Sequence, residues 1–503
     1  MIDRMIKFKS IQSLDRIAIT LIGVLTIAIA ILLFQGDRSV PHVRSFTWQD
    51  KQIGVEHDRF VITFTRPMDR ASVEENLKIN PPLPGKFSWA GRRLVYTLIS
   101  PAPYGMEYQL SLEKATDKYS NSGKAGAILQ PFSAKFRTRD RGFAYIGVEG
   151  QNSGELMLVN LSANEPKPIA LTPPDLVVSD FKLYPQGDRI LFLANDRNSQ
   201  RQGALQAKIY EVTTGIRTNP PDPQTASQET AGKLKLVLDN KDYQILKFDL
   251  SPDGETIVMQ LVSRRNPGEF GIWTLQPNSA PKPLPGKPGG DFLITPDSKA
   301  LAVTQGEGLA IVPLTGSQDQ PLDFLPKYGS ILAFSRNGLA AATVKFNQDF
   351  TRSLFLVNTQ GTEKELQRIN GSILDAEFDP TGEILYCLLT QLVPGDQYQE
   401  QPYVVAINLK TGETKKLLEF SSNQRQVRMN LSPDGIALLF DQPLITPQPA
   451  AGMSDAVRTD DNAAIVTSKL WLLPISSINT TETSTTSNPE ELPITGVRPV
   501  WLP

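Results

Sequence analysis

The chain has one cysteine, Cys387, and two histidines, His42 and His57, among its 503 residues. A single cysteine excludes a disulfide framework and a thiolate metal cluster. Both histidines precede residue 60, so a histidine base, a Ser-His-Asp triad or a His-ligated metal is excluded from everything that follows. An excess of either charge is also lacking: 51 Lys and Arg stand against 53 Asp and Glu. With no basic run or acidic tail, nothing in the sequence favours nucleic acid as a partner. A Gly-rich phosphate loop and a nucleophile elbow are missing too. Together these gaps argue against an ordinary hydrolase or metalloenzyme. They predict a protein without metal or cofactor, built to bind rather than to catalyse.

What is plentiful is turn chemistry. Pro (39) and Gly (35) punctuate short apolar runs, the pattern of an all-β chain with room for two or three domains. Cys387 sits in Ile384-Leu385-Tyr386-Cys387-Leu388-Leu389, a strand-like run that reads as core rather than as a reactive thiol.

One long apolar run exists. Residues 17–34 carry no charge and as a helix would cover about 27 Å, close to a hydrocarbon core of roughly 30 Å. Arg4, Lys7, Lys9 and Arg16 precede it; Arg38 and Arg44 follow beside Asp37 and Asp50. The positive-inside bias predicts a short cytoplasmic segment over 1–16 and a single transmembrane helix over 17–34. The bulk of the chain would then be extracytoplasmic, on the periplasmic or cell-surface side. The only Ala-x-Ala, Ala28-Ile29-Ala30, lies inside the run, so an uncleaved anchor is favoured over a cleaved signal peptide.

Residues 45–139 hold about six short alternating runs, among them Phe60-Val61-Ile62-Thr63-Phe64, Leu94-Val95-Tyr96-Thr97 and Tyr108-Gln109-Leu110-Ser111-Leu112. That spacing predicts a β-sandwich with Leu94, Tyr96, Tyr108, Leu110 and Leu112 in one core and Trp89 as its largest member. Ile62-Thr63-Phe64-Thr65-Arg66-Pro67-Met68-Asp69, Gly85-Lys86-Phe87-Ser88-Trp89 and Tyr104-Gly105 before Tyr108 resemble the bacterial Ig-like domain of S-layer and other surface proteins. The resemblance implies a spacer or adhesion module without catalytic residues.

Residues 142–503 repeat one pattern: apolar strand, Ser-Pro-Asp-Gly-like turn, apolar strand. Phe248-Asp249-Leu250-Ser251-Pro252-Asp253-Gly254 and Met429-Asn430-Leu431-Ser432-Pro433-Asp434-Gly435 carry it in full. Variants follow Phe181, Phe292, Leu332 and Ala376. A third strand, and often a fourth, completes each unit, which predicts propeller blades. The region starts without a first strand and ends on one, Gly496-Val497-Arg498-Pro499-Val500-Trp501. Joining the two ends gives a seventh blade; six blades with a ragged start is the alternative. The repeats resemble the TolB-type propeller. The resemblance specifies fold, since such propellers serve as protein-binding modules, enzyme domains and gatekeepers.

Five residues before each turn proline stands a charged column: Arg498, Asp180, Lys247, Asp291, Asp375 and Arg428, interrupted by Ile331. The next residue along is apolar or proline, so alternation places the charges on the channel side of the first strands. They read as a polar mouth holding a peptide or small ligand, or as ion pairs between blades: Arg498 with Asp180, Lys247 with Asp291, Asp375 with Arg428. Asp375, Glu377 and Asp379 on one strand face also allow paired-carboxylate chemistry. Asp253 and Asp434 read as turn residues before metal ligands. Residues 443–467 and 476–493 read as long loops of the last blade.

Three functions follow. The first is a membrane-anchored extracytoplasmic binding or scaffold protein whose propeller recognises a protein or envelope polymer. The second is a carboxylate-dependent hydrolase or lyase acting on an envelope polymer at the channel through Asp375 and Glu377. The third is an envelope sensor or sorting component.

Overall fold

Past the apolar run near the start, closely spaced turn residues favour short strands over helices, and strands dominate the structure, a computed structural model. It describes residues 13–35, 40–118, 126–198, 206–216, 230–284, 290–306, 308–314, 323–325, 328–395, 398–424, 426–446, 457–459, 463–475 and 488–503.

The apolar run near the start forms the helix Ser13–Gln35. Its described side chains, 17–30, are exposed except at Gly23 and Ala30, which are partly covered. Among the described residues no helix is long and apolar enough to cross a membrane.

Two four-stranded sheets then face each other. One contains Val43–Phe46, Arg59–Phe64, Arg93–Leu98 and Gly85–Ala90 in spatial order; the other contains Gln52–Ile53, Phe132–Thr138, Glu107–Leu112 and Leu77–Asn80. Strict alternation explains their packing. Phe60, Ile62 and Phe64 point inward from one strand, Leu94, Tyr96 and Leu98 from its partner, and Tyr108, Leu110 and Leu112 from the opposite sheet, all buried. Trp89 lies at the margin of this core rather than at its centre: it is half-buried, and its indole N–H donates to Glu74 at 2.7 Å. The fully enclosed tryptophan is Trp48, packed edge-on against Phe60 and Phe136. A short helix, Arg70–Asn76, follows Pro67-Met68-Asp69, capped by the Asp69 carboxylate on the Ser72 N–H at 2.8 Å. A period-two reading has no signal for it.

From Gly142 onward the sheets repeat. Sheet order gives seven units among the described residues, and no single sheet closes on itself. Units two to six are four-stranded antiparallel sheets starting with Leu176–Leu183, Tyr243–Leu250, Phe292–Ile294, Ser330–Phe334 and Ile373–Phe378. The last strand, Glu490–Trp501, serves two units. Its first half pairs with Ala464–Pro474 as the outer strand of unit seven. Its second half becomes the inner strand of unit one, with Gly496 opposite Gly147 and Trp501 opposite Phe143. The strands Gly142–Gly147, Leu156–Asn160 and Ile169–Ala170 complete unit one. One strand thus joins the two ends of the β-propeller and leaves no unpaired inner edge there.

The recurrent turn has two structural roles. Within a unit, the Ser251 hydroxyl donates to Asp253 at 2.5 Å and accepts from the Thr256 N–H at 2.8 Å. Thr295 with Asp297, Ser335 with Asn337 and Ser432 with Asp434 repeat the arrangement. In unit six the carboxylate of Asp379 takes over both jobs, accepting from the N–H groups of Glu383 and Ile384. Asp379 is therefore a buried turn residue, not a third carboxylate beside Asp375 and Glu377. Between units, a turn proline lies against the turn glycine of the next. A Cβ added to Gly254 would meet Pro185 at 2.9 Å, and one added to Gly435 would meet Pro380 at 2.8 Å. The turns crowd round one end of the propeller axis. Cys387 is fully buried in the core between units five and six.

Candidate functional site

First strands neighbour one another around the ring, so their inward positions line a central channel with two mouths. The turns surround one mouth; the strand starts and the connections between second and third strands surround the other.

The turn-bearing mouth is covered by the sandwich. Tyr104 donates its backbone N–H to Asp434 at 2.8 Å in the unit-seven turn, and Arg141 pairs with the same carboxylate. Arg139 donates to the carbonyl of Pro185 at 3.2 Å in the unit-two turn and pairs with Glu56. Burial lowers the pKa of Arg336 in the unit-five turn, where Glu56 and Tyr104 lie within electrostatic reach. Glu56 itself is held down at about 2: burial opposes this, and bonds from His57 and its own backbone together with the charge of Arg139 outweigh it. Units two, five and seven sit on different sides of the ring, so the segments around residues 54–58, 103–105 and 139–141 lie across its centre.

The charged column runs down the channel from the opposite, open mouth. Lys247 pairs with Asp291, and Arg498 with Asp180 at 3.3 Å. Arg428 makes no such bridge to Asp375; its charge acts through space, while Asp375 accepts the backbone N–H of Ala376 at 2.8 Å. Ile331 occupies the seventh position and interrupts the ring. A second layer lies two residues further in, where Lys182 meets Asp249 at 3.5 Å. Asp249 holds the lysine pKa up against the cost of burial.

Three carboxyls near the channel have their pKa values raised. Glu377 has its pKa pushed up to about 8, first by burial and then by the charge of Asp375. Its carboxylate accepts from Leu431 N–H at 2.8 Å and from the Asn430 side chain at 3.3 Å. Burial likewise raises Asp375. Both groups are partly accessible from the channel yet surrounded by protein, so few waters reach them. Asp441, on the second strand of unit seven, is almost fully buried and is raised by burial to about 6. Its two oxygens accept the backbone N–H groups of Arg428 and Arg498, each at 2.7 Å. Asp441 ties the short first strand of unit seven to the closing strand. The sequence signal for it is a lone carboxylate directly after Ala437-Leu438-Leu439-Phe440; column alignment on first strands passes over it.

Asp253 bonds within its own turn and Asp434 holds the sandwich. Among the described residues no group of three His, Cys, Asp or Glu side chains is placed to hold a metal.

No family model matches the sequence, and no curated protein matches it. Solved structures do. A putative 6-phosphogluconolactonase from Bacteroides fragilis is 14% identical, with a TM-score of 0.42 over 72% of this chain and 97% of its own. TolB from Acinetobacter baumannii is 12% identical, with a TM-score of 0.36 over 85% of this chain and 83% of its own. An oligogalacturonate lyase from Vibrio parahaemolyticus is 10% identical, with a TM-score of 0.36 over 65% of this chain and 96% of its own. At these identities the likeness concerns fold alone.

Proposed function

We propose that the chain is a membrane-tethered binding protein of the cell envelope whose ligand, a protein or an envelope polymer, docks on the open mouth of the propeller. The observation that carries this reading is the position of the β-sandwich. Tyr104, Arg139 and Arg141 fasten it over the turn-bearing mouth, so a ligand reaches the charged channel only from the far side. Exposed Leu246 and Leu374 flank the charged column there, giving the apolar-with-polar mixture typical of recognition surfaces. For the tether, the support is the exposure of the large apolar side chains from Ile17 to Ile29 together with the uncharged run 17–34, which continues past the side chains the structure describes.

A photo-crosslinking residue placed at 246 or 374 in intact cells should trap a partner, and one at Gln186, beside Arg139 on the turn-bearing face, should not. Adducts from 186 alone, or none from either open-face position, overturn the reading. Replacing Leu21, Leu25 and Ile29 by Asp should release the protein from membranes washed at high pH; retention would remove the tether.

A second reading has one observation in its favour. A carboxyl with its pKa near 8 beside a second carboxylate, as at Glu377 and Asp375, is the pairing a general acid needs at neutral pH. A substrate screen on the exported domains with Glu377→Gln and Asp375→Asn decides it: any turnover that survives both changes eliminates these residues.

A further inference from the structure

The second and third strands of unit five are joined by a tight turn with an unexpected occupant. The Asn347 N–H donates to the Thr351 carbonyl at 2.9 Å, and the Phe350 N–H to the Asn347 carbonyl at 3.1 Å. The same unit repeats this turn between its third and fourth strands. There the Asn358 N–H donates to the Thr362 carbonyl at 3.1 Å and the Gly361 N–H to the Asn358 carbonyl at 3.0 Å. Both turns start at Asn and end at Thr, and both need a left-handed residue in fourth place. Gly361 supplies it at φ +75° without steric cost, whereas Phe350 adopts it at φ +63°. A side chain strains that conformation. Burial returns nothing in exchange, because Phe350 is 90% exposed.

Phe350 does not stand alone. Phe346, at the end of the strand leading into the turn, is also exposed. Its ring lies over the backbone of Gly329, where an added Cβ would collide with it. Tyr398, in the corresponding connection of unit six, is exposed as well. Arg352 reaches from one unit to the other: it donates to the Gly371 carbonyl at 2.6 Å and lies within electrostatic reach of Tyr398 and Glu400. Toward the channel, Ile331 interrupts the charged column and Leu374 is exposed. Strand connectivity puts all five apolar residues at the open mouth, on units five and six. The charged groups among them are bonded within the chain. Asp349 pairs with Arg368 and accepts the Thr351 hydroxyl, each at 2.6 Å, while Glu400 accepts from Thr390 at 2.7 Å and from Tyr398.

We propose that Phe350, flanked by Phe346, is a protruding anchor that enters an apolar pocket on a folded protein partner. The proposal rests on the open mouth as the ligand face and narrows the ligand there to a protein. Shape and charge select this occupant. A hairpin tip is convex, so the partner supplies the concavity, as where an interface aromatic fills a desolvated pocket. A sugar polymer would need hydrogen-bond partners for its hydroxyls beside the rings, and a phosphate-bearing polymer would need an excess of cations. Asp349, Arg368 and Glu400 are instead bonded to one another's neighbours and to their own turns. Aromatic side chains ringed by paired charges are the composition of a protein interface, with an apolar centre and a polar rim.

Two measurements compare the full chain with Phe350→Gly and Phe346→Ala. In detergent, Phe350→Gly should leave the urea midpoint unchanged or raise it, since relief of strain offsets the added freedom of the unfolded chain. A lowered midpoint would mean that the ring packs within its own chain, and overturns the proposal. In intact cells, a photo-crosslinking residue at exposed Gln348 should give one protease-sensitive adduct of defined mass. Each variant should lower its yield about fivefold or more, whereas Phe350→Tyr, which keeps a ring, should retain most of it. No adduct, a protease-resistant glycan or lipid adduct, or a protein adduct of equal yield in wild type and both variants overturns the anchor. If adducts from 246 or 374 form while those from 348 ignore the phenylalanines, the binding face stands and the anchor is lost. Adducts from 348 that need both phenylalanines, with none from 246 or 374, keep the anchor and lose the channel mouth.

Discussion

Tyr104 and Asp434 lie 330 positions apart and are joined by a 2.8 Å hydrogen bond from the tyrosine backbone N–H to the aspartate. The same carboxylate takes the Ser432 hydroxyl on its other oxygen and Arg141 beside Tyr104. A turn residue that bonds within its own turn in units three, four and five is used here to fasten one domain to another as well. Asp434→Ala leaves a buried N–H and a guanidinium without their acceptor, which costs about 3 kcal/mol. Hydrogen exchange at residues 103–105 should accelerate, and the sandwich and propeller should unfold in separate steps. Asp253→Ala removes only bonds within its own turn and should cost about 1 kcal/mol. Equal effects from the two changes would deny Asp434 its inter-domain role.

The turn glycines divide by what lies beside them. Gly435 and Gly382 occupy equivalent turn positions with φ of +75° and +73°. A Cβ on Gly435 would meet the Pro380 ring at 2.8 Å; one on Gly382 would meet nothing within 4 Å. Gly382→Ala should cost about 1 kcal/mol for the left-handed backbone alone. Gly435→Ala should cost about 1 to 3 kcal/mol more, because a packed ring has to move. Urea midpoints of the two variants check the difference.

Much of the fold was legible because its signals are local. Strand alternation at Phe60, Ile62 and Phe64, the turn at 251–254 and the orphan strand ending in Trp501 each follow from a few adjacent residues. What stayed hidden depends on distant partners. Nothing near Trp48 or Trp89 says which of them the opposite sheet will enclose. Nothing in Asp434 marks it as different from Asp253, because the difference is supplied by Tyr104 and Arg141. The charged column could be read by register, and two of its cross-unit pairs follow from neighbouring positions. Asp441 lies on a second strand one residue past the last pair of the first strand beside it, Met429 with Phe440, and there takes up the backbone N–H of Arg428.

Glu377 makes stability depend on pH in a definite direction. Its folded pKa of about 8 lies above the ordinary value of 4.5, so the unfolded chain ionises more readily. The contribution of the protonated group is complete below about pH 4.5 and is lost as pH rises through about 8. Asp441, raised from 3.8 to about 6, adds the same trend over a lower range. The wild-type unfolding midpoint should therefore fall between pH 5 and pH 8, on the order of a few degrees. Glu377→Gln should remove the slope above about pH 6 and reduce it below, where Asp441 still contributes, since an amide keeps an acceptor for Leu431 N–H and does not titrate. An unchanged slope in the variant would mean that other groups control it.

Ring closure rests on one strand, and Trp501 is where that strand is held most firmly. Its backbone N–H donates to the Asn430 side chain at 2.8 Å and its indole N–H to the Asn430 carbonyl at 3.1 Å. The ring meets Phe143 edge-on at 5.8 Å, and Arg141 of the connection from the sandwich lies 5.9 Å above it. Units one and seven and the inter-domain segment therefore converge on one side chain. Trp501→Ala should cost about 3 to 5 kcal/mol, and Trp501→Phe much less, since a ring still covers Phe143. Deleting residues 496–503 goes further: it strips Gly142–Gly147 of its inner partner and exposes a sheet edge that can recruit another chain. That truncation should elute as soluble oligomers or aggregate on size exclusion, whereas Trp501→Ala should remain monodisperse with a lowered urea midpoint. A truncated chain that stays monodisperse and unfolds at the wild-type midpoint would show that packing between the units holds the ring without its shared strand.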